Sequence, residues 1–289
     1  MPVPHTGPGE VDINYGDESI ATVTGASSGL GFEIARALAM TGVRVALVCR
    51  DSARGASARE NIARSSPSAT LDLFVADLSS LSAVRRLAAE MRERLTRLDV
   101  LVNNAGVVKL RREETVDGLE WTLSVNHLAP FLLTRLLMPL LEASRGSRVV
   151  NVSSDAHRGV TLDVDDLQSL KGYDAFLAYQ RTKLANVLFT YALSRRVAGN
   201  GISVFAVAPG MAATEIVREA PPWYRLEWSL KSRPASEGAA TPVWAALAPE
   251  LSGKSGLYLR DGAVVDSSPE SYDVALQERL WVDSMGLTG

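Results

Sequence analysis

Tyr179 and Lys183 stand four residues apart in AYQRTKLANVLFTYALSRR, a stretch whose Ala and Leu content predicts a helix. At that spacing both side chains project from one helix face. An ammonium beside a phenol favours the tyrosinate, so Lys183 is expected to hold the Tyr179 pKa below its ordinary value of about 10. Such a phenol can give a proton to a carbonyl, or take one from an alcohol, at neutral pH.

A second group of residues points to a ligand. Thr24-Gly25-Ala26-Ser27-Ser28-Gly29-Leu30-Gly31 lies between the apolar run Ile20 to Val23 and a helical pattern that begins at Phe32. A strand that ends in glycines and turns straight into a helix presents backbone N–H groups, and the positive end of the helix, to a phosphate. The spacing is G-x-x-x-G-x-G, and the expected ligand is a nucleotide.

These residues need a scaffold. Short β-branched runs recur at Ile20–Thr24, Val43–Val48, Leu71–Ala76, Val100–Val102, Val149–Val152, Ile202–Val207 and Gly256–Leu259. Helical patterns fill the gaps, among them Arg36 to Leu38, Ala53 to Ala63 and Leu81 to Leu95. That alternation predicts a single α/β domain over residues 20–289, a doubly wound parallel sheet of about seven strands with helices on both faces. Residues 1–19, rich in Pro and Gly, read as a flexible leader. In such a sheet the ligand lies across the carboxyl ends of the strands. The residues there are the glycine turn, Cys49-Arg50-Asp51, Asp77-Leu78, Asn103-Asn104-Ala105-Gly106, Ser153-Ser154 and Pro209-Gly210, all suited to lining a groove.

Composition removes several function classes. A net charge of −3, with the 30 basic residues scattered along the 289-residue chain, gives no footprint for nucleic acid. The single cysteine, Cys49, allows no intramolecular disulfide and fits a reducing compartment. The leader has neither the positive start nor the apolar core of a signal or membrane anchor, and no apolar run approaches the roughly 20 residues of a bilayer span. A soluble, cytoplasmic protein is expected. His5, His127 and His157 are too dispersed for a metal site; His127 is expected to be structural and His157 to line the substrate mouth.

TGASSGLG (24–31), ADL (76–78), NNAG (103–106), Asn126 within SVNHLAPF, NVSS (151–154), YQRTK (179–183) and APGMAATE (208–215) occur together and in order. In these the chain resembles the short-chain dehydrogenases/reductases, from about residue 20 to 260. AYQRTKLANVLFTYALSRR and the GLYLRDGAVVDSSPES ending resemble the retinol-dehydrogenase-like branch. The resemblance implies a Rossmann-type fold, a nicotinamide cofactor and no metal. It implies a catalytic set of Asn126, Ser154, Tyr179 and Lys183. Ser154, favoured over Ser153, would polarise the substrate oxygen, Asn126 would hold a water relaying protons towards Lys183, and Lys183 would also bond the nicotinamide ribose. The implied cofactor contacts are Gly25, Ser27, Ser28, Gly29, Leu30, Gly31, Arg50, Asp77, Leu78, Asn103, Ala105, Gly106, Tyr179, Lys183, Pro209, Gly210 and Thr214.

Alignment with the family pattern puts Cys49 where an NAD-preferring enzyme places an acid, and Arg50 directly after it. A guanidinium suits a 2′-phosphate, so NADP(H) is expected over NAD(H). Asp51 competes, since a small backbone shift would turn it towards the ribose. A lid over about 211–235, carrying Ile216, Val217, Pro221, Trp223, Tyr224, Leu226 and Trp228, suggests a hydrophobic carbonyl or alcohol substrate, hence a ketoreductase-like oxidoreductase. The insertion Val160 to Tyr173 is expected to shape the rim of the site. By the resemblance, a homodimer or homotetramer would pack through Leu132, Leu136, Val187 and Tyr191, unless these are core. A non-catalytic NADPH-sensing protein and a non-redox epimerase- or lyase-type enzyme are the alternatives.

Overall fold

The computed structural model describes residues 19–210, 230 and 232–289. The expected strands form as β1 (Ile20–Thr24), β2 (Arg44–Cys49), β3 (Leu71–Val75), β4 (Val100–Asn103), β5 (Arg148–Val152), β6 (Ser203–Ala208) and β7 (Leu257–Arg260). They lie parallel in the order β3-β2-β1-β4-β5-β6-β7, and a two-residue β8 (Ala263–Val264) adds an antiparallel edge. The strand order reverses between β1 and β4, and that reversal opens a crevice at the carboxyl ends.

Helices cover both faces. α1 (Gly29–Ala39) turns Leu30, Ile34 and Leu38 inward, and with Val45, Val102, Phe205 and Ala245 they fill one layer of core. α2 (Ser52–Ser65) is capped by Asp51, whose Oδ1 accepts from Arg54 N at 2.8 Å. On the other face lie α3 (Leu81–Arg94), α4 (Ala129–Leu136) and the long α5 (Ala175–Arg196), with Leu87, Phe131, Leu133 and Phe189 in the second core layer. α6 (Ala240–Leu247) returns to the first face. Strands buried on both faces explain why β1, β2 and β6 read as nearly continuous apolar runs.

α1 begins at Gly29, three residues before the predicted start at Phe32. The last two glycines of the turn therefore belong to the first helical turn, which brings its N–H groups to the crevice.

The C-terminal helix α7 spans Val274–Thr288. It packs along α5 and sets Trp281 edge-on against Phe131, with ring centroids 5.0 Å apart. Leu132, Val187 and Tyr191 are buried within the chain, and Leu136 is half-buried against the core. They form core, the second of the two roles open to them. The insertion Val160 to Tyr173 does not line the crevice. Val160 and Leu162 pack with Leu184, Leu188 and Leu280, and the Tyr173 hydroxyl donates to Lys109 O at 2.8 Å.

His127 is structural, as expected: it is fully buried between Asn186 (3.3 Å) and Ser284 (2.9 Å). Burial holds its pKa down at about 4. The unfolded chain, titrating near 6.5, binds the extra proton between those values, so stability rises with pH from about 4 to 6.5 and is lost on acidification. The contribution is on the order of 3 kcal/mol. Denaturant unfolding of wild type and His127→Gln should diverge on acidification through that window; parallel curves would refute the assignment.

Candidate active site

The crevice encloses a cavity of about 780 Å³. Gly25, Ser27, Ser28, Gly29, Leu30 and Gly31 line it, as do Arg50, Asp77, Leu78, Ala105, Gly106, Ser154, Tyr179, Lys183, Pro209 and Gly210. Thr214 and most of the expected lid, residues 211–229 and 231, lie outside the described residues.

The glycine turn is held by its neighbours. Thr24 Oγ1 accepts from the N–H groups of Asn104 and Ala105, both at 3.0 Å, and Asn104 Nδ2 donates back to Thr24 O at 2.8 Å. This clamp joins β1 to β4 at the switch point. A Cβ on Gly31 would lie 2.3 Å from Gly25 O and 2.4 Å from Asn104 Nδ2, so only glycine fits. Gly25 takes φ +69°, a left-handed conformation that side chains resist. Backbone this close-packed, opening into a helix N-terminus, fits a cofactor pyrophosphate.

Asn103 departs from expectation. It ends β4, and its Nδ2 donates to Asn151 Oδ1 (2.8 Å) and Thr134 Oγ1 (3.0 Å) inside the sheet-helix layer. Side chains alternate along a strand, so the next residue, Asn104, faces the cavity in its place.

Around the reacting groups, Asp174 caps α5, accepting from Leu177 N at 2.7 Å, and fixes the helix that carries Tyr179 and Lys183. Ser153 Oγ donates to Lys183 O at 2.7 Å, so Ser153 anchors α5 to β5. The Ser154 hydroxyl, which accepts from Ala156 N at 3.1 Å, lies beside the Tyr179 phenol in the cavity wall and draws its pKa down. Lys183 Nζ donates to Val152 O at 3.0 Å and lies 5.4 Å from the centroid of the Tyr179 ring. A Cβ on Gly106 would touch both Asn126 Oδ1 (3.5 Å) and Lys183 Nζ (3.7 Å), so these two atoms flank one small space. The four predicted side chains converge.

The electrostatics reverse the expected sign at Tyr179. Burial pushes its phenol up to about 12, and the neighbouring Ser154 hydroxyl only partly opposes this. Burial also draws the Lys183 amine down to about 8. Desolvation, which penalises whichever form carries charge, is the largest cause for both groups.

His157 is not at the mouth. It is buried beneath Ser154, its Nδ1 2.6 Å from Ser154 O, and its Nε2 accepts from Ser268 N at 3.0 Å. Val107, Trp121, Val125, Phe176 and Arg54 line the cavity without having been anticipated. Phe176 stacks on Tyr179 with centroids 6.5 Å apart. The three-residue spacing of those two aromatics on one predicted helix was the available signal.

The sequence profile of the short chain dehydrogenase family matches residues 19–225. The chain belongs to that family. Its similarity to human retinol dehydrogenase 12, 41% identity over 93% of this chain and 86% of that protein, puts it in the retinol-dehydrogenase-like branch. Mouse polyprenol dehydrogenase is also 41% identical, over 93% of this chain and 84% of that protein. Among solved structures, an uncharacterised protein from Mycobacterium paratuberculosis superposes with TM-score 0.75 at 32% identity, covering 98% of both chains. The NADP active-site complex of Pseudomonas aeruginosa RhlG superposes with TM-score 0.69 at 29% identity, covering 85% of this chain and 95% of that one. The chain is thus an α/β oxidoreductase of the nicotinamide-dependent short-chain type, acting on a small-molecule alcohol or carbonyl. Among the described residues no helix is long and apolar enough to cross a membrane.

Proposed function

We propose that this dehydrogenase uses NADP(H) to interconvert a carbonyl and an alcohol on a lipophilic small molecule, with Tyr179 as general acid and base. The observation that carries the reading is the Tyr179 phenol beside Ser154 in the cavity wall, with Lys183 Nζ 5.4 Å from its ring centroid. When bound, the nicotinamide supplies or accepts the hydride at the substrate carbon. Tyr179, with its pKa near 12, holds its proton at neutral pH and gives it to the carbonyl oxygen as the carbon is reduced. Ser154 orients that oxygen. Lys183 stabilises the phenolate left behind, and an amine poised near 8 can return a proton to it. Oxidation of an alcohol reverses each transfer. Lys183 also bonds the nicotinamide ribose, as the family likeness implies.

The NADP(H) preference rests on the end of β2. Cys49 is a buried thiol, and the Asp51 carboxylate is engaged as the cap of α2, so neither offers a free acid to the adenosine ribose. Arg50 and Arg54 line the cavity there, as a 2′-phosphate needs. Arg50→Glu should weaken NADPH binding roughly tenfold to hundredfold and improve NADH, as expected for losing a charge-assisted contact. Unchanged cofactor selectivity in parallel NADPH and NADH titrations would count against the assignment.

The substrate class follows from Val107, Trp121, Val125 and Phe176 in the same cavity, and is supported by relatives named for the alcohols retinol and polyprenol. NADPH consumption with a panel of hydrophobic aldehydes and ketones tests the whole reading, and turnover is expected. Tight NADPH binding with no turnover on any of them would favour a cofactor-sensing role instead. The proposed enzyme is cytoplasmic and homo-oligomeric, the second property being read by sedimentation of the purified protein.

A further inference from the structure

We propose that Asn186, which does not reach the cavity, is a positioning residue: it holds Asn126 in place by supplying the hydrogen-bond donor that Pro130 removes from the helix. The catalytic consequence rests on the oxidoreductase reading above; the positioning itself does not.

The helix carrying Asn126 is irregular where it matters. Ser124–Leu128 widens into a π turn in which Ala129 N–H reaches back to Ser124 O. Such widenings leave carbonyls without their usual partners. The next residue, Pro130, has no N–H to offer the carbonyl four residues back, which is that of Asn126. A buried carbonyl left unpaired is costly, so a partner must come from elsewhere.

Asn186 Nδ2 donates to Asn126 O at 2.9 Å. Four residues earlier on the same face of α5, Thr182 Oγ1 accepts from Asn126 Nδ2 at 3.1 Å. α5 therefore grips Asn126 at two points, one on the backbone and one on the side chain. So held, Asn126 clamps the cavity wall, its Oδ1 accepting from Val107 N (2.8 Å) and its Nδ2 donating to Val107 O (2.9 Å). The same Oδ1 flanks the space that Lys183 Nζ faces. Asn186 is itself oriented from behind. With Nδ1 of His127 protonated, that nitrogen donates to Asn186 Oδ1, and Nε2 accepts from Ser284 Oγ on α7. The chain Ser284, His127, Asn186, Asn126, Val107 joins the C-terminal helix to the wall of the cavity, and every member but Val107 is buried.

The test is Asn186→Leu, which keeps an apolar side chain in place of the amide, alone and combined with Pro130→Ala, with Pro130→Ala as the reference. Pro130→Ala gives the Asn126 carbonyl a backbone donor while the His127 link stays broken. Two readouts are taken: amide hydrogen exchange at Val107, and kcat and KM with NADPH. Asn186→Leu should speed Val107 exchange and lower kcat roughly tenfold to hundredfold, the scale of a misplaced catalytic wall, with a much smaller change in the KM for NADPH. The double variant should regain much of both. A general loss of stability would not be repaired at that one carbonyl. If Asn186→Leu does not fold, Ser284→Ala loosens the same chain from its outer end and should speed Val107 exchange to a smaller degree. Unchanged exchange in the folded variant, or a defect that Pro130→Ala leaves in place, overturns the proposal. Should the wild type turn over no substrate, the enzymatic reading fails while Val107 exchange still decides the positioning.

Discussion

Tyr179→Phe should cut turnover about 10²- to 10⁴-fold and leave cofactor binding intact. The substitution removes one hydroxyl from a ring that is packed against Phe176 and lies over Lys183 Nζ, so ring packing persists. What disappears is the proton that must reach the substrate oxygen. Positioned acid-base groups contribute about 10²- to 10⁴-fold, so kcat should fall by that factor. NADPH titrated by fluorescence should bind Tyr179→Phe within about threefold of wild type, since the glycine turn, Arg50 and Lys183 are untouched. Retained turnover would remove the phenol from the chemistry. A lost cofactor affinity would mean that Tyr179 acts by binding.

Much of this site was legible because its signals are local. Tyr179 and Lys183 share a helix face by spacing alone, and the glycine turn is a strand-to-helix junction written in consecutive residues. The missed features depend on parity or on distance. Asn103 is the last residue of β4 and Asn104 the first beyond it, and an apolar pattern that stops at Val102 does not say which of the two asparagines faces the cavity. The two-residue β8 is too short to show any period. Leu132, Val187 and Tyr191 were open to reading as interface or core because what covers them lies far along the chain: Val187 and Tyr191 pack with Tyr258 of β7, and Leu132 belongs to the layer against which Trp281 and Met285 of α7 rest. The Tyr179 pKa went the wrong way for a similar reason: the Lys183 charge is visible at four residues' distance, whereas the burial that raises the phenol's pKa depends on the tertiary structure. Asp51 is the reverse case. Its position three residues before Arg54 was open to reading as a helix cap, and as a cap it is occupied.

Lys183→Met separates function from stability. An amine drawn from 10.5 to about 8 is one that folding penalises when charged, on the order of 3 kcal/mol at pH 7. Its bond to Val152 O returns about 1 kcal/mol of that. Replacing the ammonium with an apolar side chain of similar length should therefore raise stability by about 2 kcal/mol, read as a higher denaturation midpoint at pH 7. The sign can be checked against pH. Between about 8 and 10.5 the unfolded chain binds the proton that the folded chain has released, so wild-type stability rises with pH through that window. Lys183→Met lacks this rise, and its advantage should shrink as the pH approaches 10.5. Turnover should fall at least as far as in Tyr179→Phe, because the phenolate loses its counter-charge and its proton donor together. A variant that is both less stable and inactive at every pH would show that Lys183 holds the fold, and that the fold does not hold Lys183 against its preference for water.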